Sequence, residues 1–153
     1  MKKFGIIAKY SIVIFVVWFG GKFGPYLINP SEALVRVSGW ESYRAPKLKT
    51  INFLLWYGAN INYISESNRG YTPLISAAIW NNPDVVELLL RSNADPSIGI
   101  GGNSKSSTAF DVACKSNAIL ALDVFSKRGI RATQEHKSTW TKGEEVSKLC
   151  GPL

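Results

Sequence analysis

The side chains able to do chemistry in this chain are few and scattered. His136 is its single histidine and lies in the polar stretch ATQEHKSTWTKGEE. A nucleophile needs a base within hydrogen-bond reach, so a Ser or Cys nucleophile with a histidine base could be assembled only around that residue. Glu144 and Glu145 are adjacent and sit near Lys142 and Lys148. That is the pattern of an exposed helix start, where acids suit the N-terminal turn. GIGG at 99–102 is not followed by the lysine of a phosphate-binding loop and lacks a strand-loop-helix setting. No histidine and cysteine spacing suits zinc. The sequence therefore predicts no catalytic residue, no metal site and no cofactor. Two cysteines are too few for a disulfide framework. Cys114 reads as a small buried hydrophobe, and a bond to Cys150 in the tail would require an oxidising space.

What the chain does carry is a set of elements that could present a surface. GYTPLISAAIWNNPDVVELLLRSNADPS, residues 70–97, reads as a short helix, a tight turn and a second helix. Thr72 can cap the first helix, and Pro73 fits its first turn, where a missing N–H costs nothing. Leu74, Ala77 and Ala78 share one face at i, i+3 and i+4. Asn81-Asn82-Pro83-Asp84 breaks the pattern, and Pro83 can open the next helix. Val85, Val86, Leu88, Leu89 and Leu90 make that helix apolar over much of its circumference, and Asn93 is placed to end it in a left-handed conformation.

One such hairpin cannot bury its apolar face, and the pattern repeats. TAFDVACKSNAILALDVFSKRG (108–129) aligns without a gap, Thr108 lying 36 residues after Thr72 and Gly129 matching Asn93. Upstream, LLWYGANIN (54–62) matches LLRSNADPS (89–97) at a displacement of 35. These residues resemble the ankyrin repeat, with its G-x-T-P-L-x-x-A-A, V-V-x-L-L-L and G-A-D/N-x-N segments. The resemblance covers about residues 32–131. The central copy departs little, with Asn93 for Gly and Ile75 for His, while the third has Ala109 for Pro and the first has a degenerate first helix. It implies an all-α stack of about three helix-turn-helix units. The expected layout is an anchor and linker over 1–30, the repeats over 31–131 and a capping segment or tail over 132–153.

The N-terminal stretch MKKFGIIAKYSIVIFVVWFGGKFG is the other strong feature. Phe4 to Gly21 gives 18 largely apolar residues, enough to cross a bilayer if Lys9 reaches the headgroups. Small residues do not occupy cleavage positions near the end of the run. An uncleaved signal anchor is therefore preferred over a removed signal peptide, which would leave a soluble periplasmic protein. Lys2 and Lys3 hold the N-terminus in the cytoplasm, although Lys22 and Arg36 blur that reading. The repeats then lie in the periplasm of a bacterium with residues 4–21 in its inner membrane. The chain of 153 residues carries a formal charge of +7, but four of its eighteen basic residues (Lys2, Lys3, Lys9 and Lys22) belong to this segment. The fourteen left against eleven acids give +3, a modest excess. With no nucleic-acid recognition motif, the charge does not point to nucleic acid.

The resemblance also implies which positions meet a partner: those flanking the Gly before Thr-Pro-Leu, and the two after Ala-Ala. Here they are Asn68, Arg69, Tyr71, Ile79 and Trp80 in the central copy, with Lys105, Lys115 and Ser116 in the next. Arg44 and Ala45 correspond in the first copy. Ile79 and Trp80 are expected as an exposed pair beside Arg69 and Tyr71, suited to a protein with an acidic surface. The other reading of Trp80 packs it on the neighbouring repeat, against Tyr43 or Trp56. Trp56 and Tyr57 are expected to cover the junction of the first two copies, with a partner-facing position as the alternative, and Trp140 and Leu149 to shield the open end of the third. Short bacterial proteins of this layout resemble immunity proteins that neutralise toxic effectors aimed at the envelope. They also resemble periplasmic ankyrin accessories of stress-defence enzymes. A cytoplasm-facing scaffold is the remaining alternative.

Overall fold

The computed structural model describes residues 29–39, 47–103, 105–131 and 148–150. Among the described residues six α-helices form three pairs: α1 (Pro30–Gly39) with α2 (Lys47–Tyr57), α3 (Pro73–Ile79) with α4 (Pro83–Arg91), and α5 (Ala109–Lys115) with α6 (Ile119–Lys127). The first helices α1, α3 and α5 lie side by side in one row, and α2, α4 and α6 form a second row behind them. Apart from a single antiparallel bridge between Ser65 and Tyr71, the described residues contain no β pairing.

Local chemistry sets the helix boundaries. The Thr72 hydroxyl accepts from the Ile75 N–H at 3.2 Å, and Pro73 fills the first turn. Thr108 and Asp111 form a reciprocal capping box at the start of α5, with the Thr108 N–H donating to Asp111 Oδ2 at 2.8 Å. Each second helix ends on a left-handed residue, at φ 106° for Gly58, 67° for Asn93 and 71° for Gly129. In each case the next residue (Ala59, Ala94 or Ile130) returns its N–H to the carbonyl five positions back, at 2.9–3.0 Å.

The first helix of the first repeat differs from the sequence expectation. It begins at Asn29-Pro30, where the Asn29 side chain accepts the Glu32 N–H at 3.0 Å. Asn-Pro thus does the work that Thr-Pro does in α3. Its packing on α3 settles its identity as the missing partner of α2.

A single core runs through all three pairs, from Leu34 and Ile51 through Leu74, Ile75, Val86 and Leu89 to Phe110, Leu122 and Phe125. Ala77, Ala78 and Ala113 are fully buried where first helices meet. The approach of α1 to α3 is closer still. A Cβ on Gly39 would lie 2.2 Å from Ser76 Oγ and 3.0 Å from the Trp80 ring, so any larger residue would force those side chains to shift.

Beyond the third pair, Leu149 and Cys150 pack on this core, and Cys150 forms a disulfide with Cys114 of α5, the Cα atoms 6.0 Å apart. Cys114 is buried, as expected, but not as a free thiol. Leu149 is half-buried against the core, while Trp140 lies outside the described residues. So do residues 4–21, and among the described residues no helix is long and apolar enough to cross a membrane.

Candidate protein-interaction surface

The loop entering α3 is a two-residue hairpin turn. The Tyr71 N–H bonds the Asn68 carbonyl at 2.9 Å, with Arg69 and Gly70 between them at φ 56° and 74°. Positive φ at both central positions suits Asn-Gly, yet the first of them here is Arg. The Ser65 N–H reaches the Tyr71 carbonyl at 3.0 Å, and the Asn68 N–H donates to Ser65 Oγ at 3.0 Å. Arg69 is thereby held at an exposed tip. The following loop meets this one backbone to backbone at one point: the Gly101 N–H donates to the Gly70 carbonyl at 2.9 Å. A Cβ on Gly70 would stand 2.7 Å from the Gly101 nitrogen.

The side chains expected to meet a partner separate into two groups. Arg69, Trp80, Lys105 and Lys115 are exposed, whereas Asn68, Tyr71 and Ile79 are partly buried. Tyr71 and Ile79 pack against the core, so Ile79 does not form an exposed pair with Trp80. Ile79 stands one helical turn after the fully buried Ile75, on the same side of α3. Arg44 lies past the end of α1, outside the described residues, as do Ala45 and Tyr43.

Trp80 is 57% exposed, its indole edge resting beside Gly39 at the end of α1. It follows α3 whereas Arg69 and Tyr71 precede it, so the length of that helix lies between them. The seven residues of α3 put about 10 Å between the two ends. The surface is a strip along the first-helix row, with the hairpin tip at one end and the indole at the other. Lys115 closes its third-repeat part, donating from Nζ to Ser107 Oγ at 2.7 Å. Glu66 is also exposed on the hairpin, so the strip is mostly but not wholly basic. Trp56, expected to cover the junction of the first two repeats, is 61% exposed on the outside of α2.

Between α4 and α6 a groove of about 470 Å³ is lined by Pro83, Asp84, Glu87, Val124, Lys127 and Arg128. Its charges largely satisfy one another. Arg128 donates twice to Glu87, at 2.6 and 2.9 Å, and holds that carboxyl below its usual range. No group of three His, Cys, Asp or Glu side chains among the described residues could hold a metal ion. His136 lies outside those residues.

Comparison with known proteins agrees with this geometry. The family pattern described as ankyrin repeats (3 copies) matches residues 42–135, more than half of the chain. The chain is an ankyrin-repeat protein. It is 32% identical over 111 residues to the human mitochondrial disaggregase, covering 72% of this chain but 14% of that protein. The bovine mitochondrial disaggregase is 36% identical over 90 residues, which are 58% of this chain and 13% of that protein. A putative ankyrin repeat protein of Acanthamoeba polyphaga mimivirus is 43% identical over 51 residues, 31% of this chain and 32% of the viral one. The chain thus spans about a seventh of the disaggregases it matches. An ankyrin stack is a protein-interaction module, and α1, which the family match leaves out, completes its first repeat.

The sequence reading missed the polar ties that hold one repeat to the next. Asn81 Oδ1 accepts the Ala121 N–H at 3.0 Å, and Asn62 Oδ1 accepts the Asp95 N–H at 2.9 Å. Asn82 Nδ2 donates to the carbonyls of Ser38 and Gly39 at 3.3 and 3.4 Å, at the open C-terminal end of α1. Asn81 and Asn82 read as turn residues in sequence, and the turn was all that their local pattern could report.

Proposed function

We propose that this ankyrin stack is a membrane-anchored binder that faces the periplasm and neutralises a secreted toxic effector by covering an acidic surface on it. Residues 4–21 hold the chain in the inner membrane, and the repeats act by occlusion, without catalysis. The observation that carries the reading is Trp80, 57% exposed on the first-helix row of a fold whose role is to bind protein. A large aromatic left in water is a frequent centre of binding energy, and the exposed Arg69, Lys105 and Lys115 along the same row suit an acidic partner. The Cys114–Cys150 disulfide supports placement on the oxidising side of the membrane.

The test is to co-express the full-length chain with the product of the gene adjoining its own. A stoichiometric complex in which a toxic activity is lost supports neutralisation. A complex with an enzyme of stress defence that keeps its activity would replace this reading with an accessory role. Failure to form a complex with a toxic neighbour would remove the reading altogether.

A further inference from the structure

The outward face of α2 differs from those of its two sister helices. Counted back from the left-handed residues Gly58, Asn93 and Gly129, Asn52 and Trp56 occupy the positions of Glu87 and Arg91 in α4 and of Asp123 and Lys127 in α6. In α4 and α6 these positions hold ion pairs, with Arg91–Glu87 at 3.7 Å and Lys127–Asp123 at 2.6 Å. In α2 the acid has become an amide and the base an indole. Lys49 stands where α4 has Asp84, and the whole helix, KLKTINFLLWY, contains no acid.

Trp56 is 61% exposed and Phe53 41%, and the Phe53 ring centroid lies 6.0 Å from those of both Trp56 and Tyr57. Leu48 is exposed on the same outer side, as is Lys49. Two turns of an outer helix thus present an aromatic strip with an amine at its edge, where the sister helices present paired charges.

We propose that this strip rests on the anionic lipid surface of the membrane that anchors the chain, a proposal that rests on the anchor reading above. The first support is the length of the tether. The apolar run ends at Gly21 and α1 opens at Asn29, leaving residues 22–28 between them. Seven extended residues reach about 25 Å at most. Because α1 packs directly on α2, a tether of that length keeps the strip within reach of the headgroups.

The second support is the chemistry of the strip. Trp and Tyr settle at the bilayer-water boundary, where one part of the ring is apolar and the other wet. A lysine edge without acids suits anionic headgroups. Seating the second-helix row this way turns α1, α3 and α5 away from the bilayer. Trp80 and the hairpin tips are then left open to a partner in the aqueous phase.

The experiment uses the full-length chain reconstituted in phosphatidylethanolamine vesicles, with and without phosphatidylglycerol and with bromine on the upper acyl chain. Subtracting the Trp56→Phe spectrum from that of the unaltered chain isolates the Trp56 emission from the other four tryptophans. The expected component is blue-shifted and loses most of its intensity to brominated lipid when phosphatidylglycerol is present. An unquenched component at the wavelength of water-exposed indole overturns the proposal. So does a blue-shifted but unquenched one, which would seat the strip on protein instead. Alkaline extraction of the same vesicles reads the anchor separately, because Phe53→Ser with Trp56→Ser should stay with the lipid as firmly as the unaltered chain. Retention with an unquenched Trp56 retracts the docking and keeps the anchor. Release of both chains with a quenched Trp56 retracts the anchor and keeps the docking.

Discussion

Glu32 on α1 accepts a hydrogen bond from the Ser65 hydroxyl at 2.9 Å, joining the first repeat to the hairpin of the second. The Ser67 hydroxyl donates to the same carboxylate oxygen, and Arg36 Nε lies 3.5 Å from it. Since Ser65 also receives the Asn68 N–H, the carboxylate steadies the turn that displays Arg69.

Burial pushes the Glu32 carboxyl up, but the hydrogen bonds from Ser67, Ser65 and Arg36, with the charge of Arg36, together leave it below its usual 4.5. A carboxyl depressed in the folded state adds stability that is complete above its unfolded value and is lost as the pH falls through the folded one. Glu32→Ala is expected to cost about 1–2 kcal/mol at neutral pH. The gap between the two melting curves should close as the pH drops below 4.5. A gap that stays constant with pH would show that the ionised carboxylate is not the source.

Breaking the Cys114–Cys150 bond should loosen the C-terminal cap. The bond closes a loop across a sequence separation of 36, for which the chain-entropy model gives about 3–4 kcal/mol. Cys150→Ser, or added reductant, is expected to lower the melting temperature of the full-length chain by a matching amount. The reductant should then have no further effect on the variant. Because Leu149 and Cys150 pack on the core, hydrogen exchange should quicken in α5 and α6 before it does in α3.

Ala77 and Ala78 have no exposed surface, in the helix that meets α1, α5 and α4. Leu at either position would overpack that contact at a cost of about 1–3 kcal/mol. In a stack of three repeats, where neighbours supply much of each repeat's stability, thermal denaturation should register the loss across all helices together. An unchanged melt would mean that the contact yields easily.

Trp80→Ala with Arg69→Glu is expected to abolish partner binding and leave the circular dichroism unchanged. Truncating an interface tryptophan commonly costs about 2 kcal/mol or more, roughly thirtyfold in affinity. Reversing Arg69 should mainly slow association with an acidic partner. Arg69→Asn separates binding from folding, because Asn tolerates the φ of 56° better than Arg does. It should stabilise the domain by about 0.5 kcal/mol or more while weakening binding. A large drop in melting temperature for Trp80→Ala alone would make its contact with Gly39 structural, and would move the binding surface to the loop tips near Tyr63 and Ile100.

The sequence by itself determined what depends on neighbours within a turn or two. The caps at Thr72 and Thr108, the opening of α4 at Pro83 and the left-handed ends at Asn93 and Gly129 all stand where the pattern put them. Each is fixed by backbone groups a few residues away, and recurrence at a spacing near 36 then identified the stack. The first helix was hidden because Pro30 lies 43 residues before Pro73, off that spacing, and because Asn-Pro replaces Thr-Pro.

Only the tertiary structure decided which side chains end in water and which distant ones meet. Trp56 and Arg91 hold equivalent positions in α2 and α4, yet one is an exposed indole beside Phe53 at the end of the stack and the other an ion-paired arginine within it. The bond between Cys114 and Cys150, the tie of Glu32 to Ser65 and the half-burial of Ile79 beside an exposed Trp80 likewise depend on which repeat lies alongside. Periodicity specifies a helix face, whereas the neighbour that covers it is set by how the helices stack.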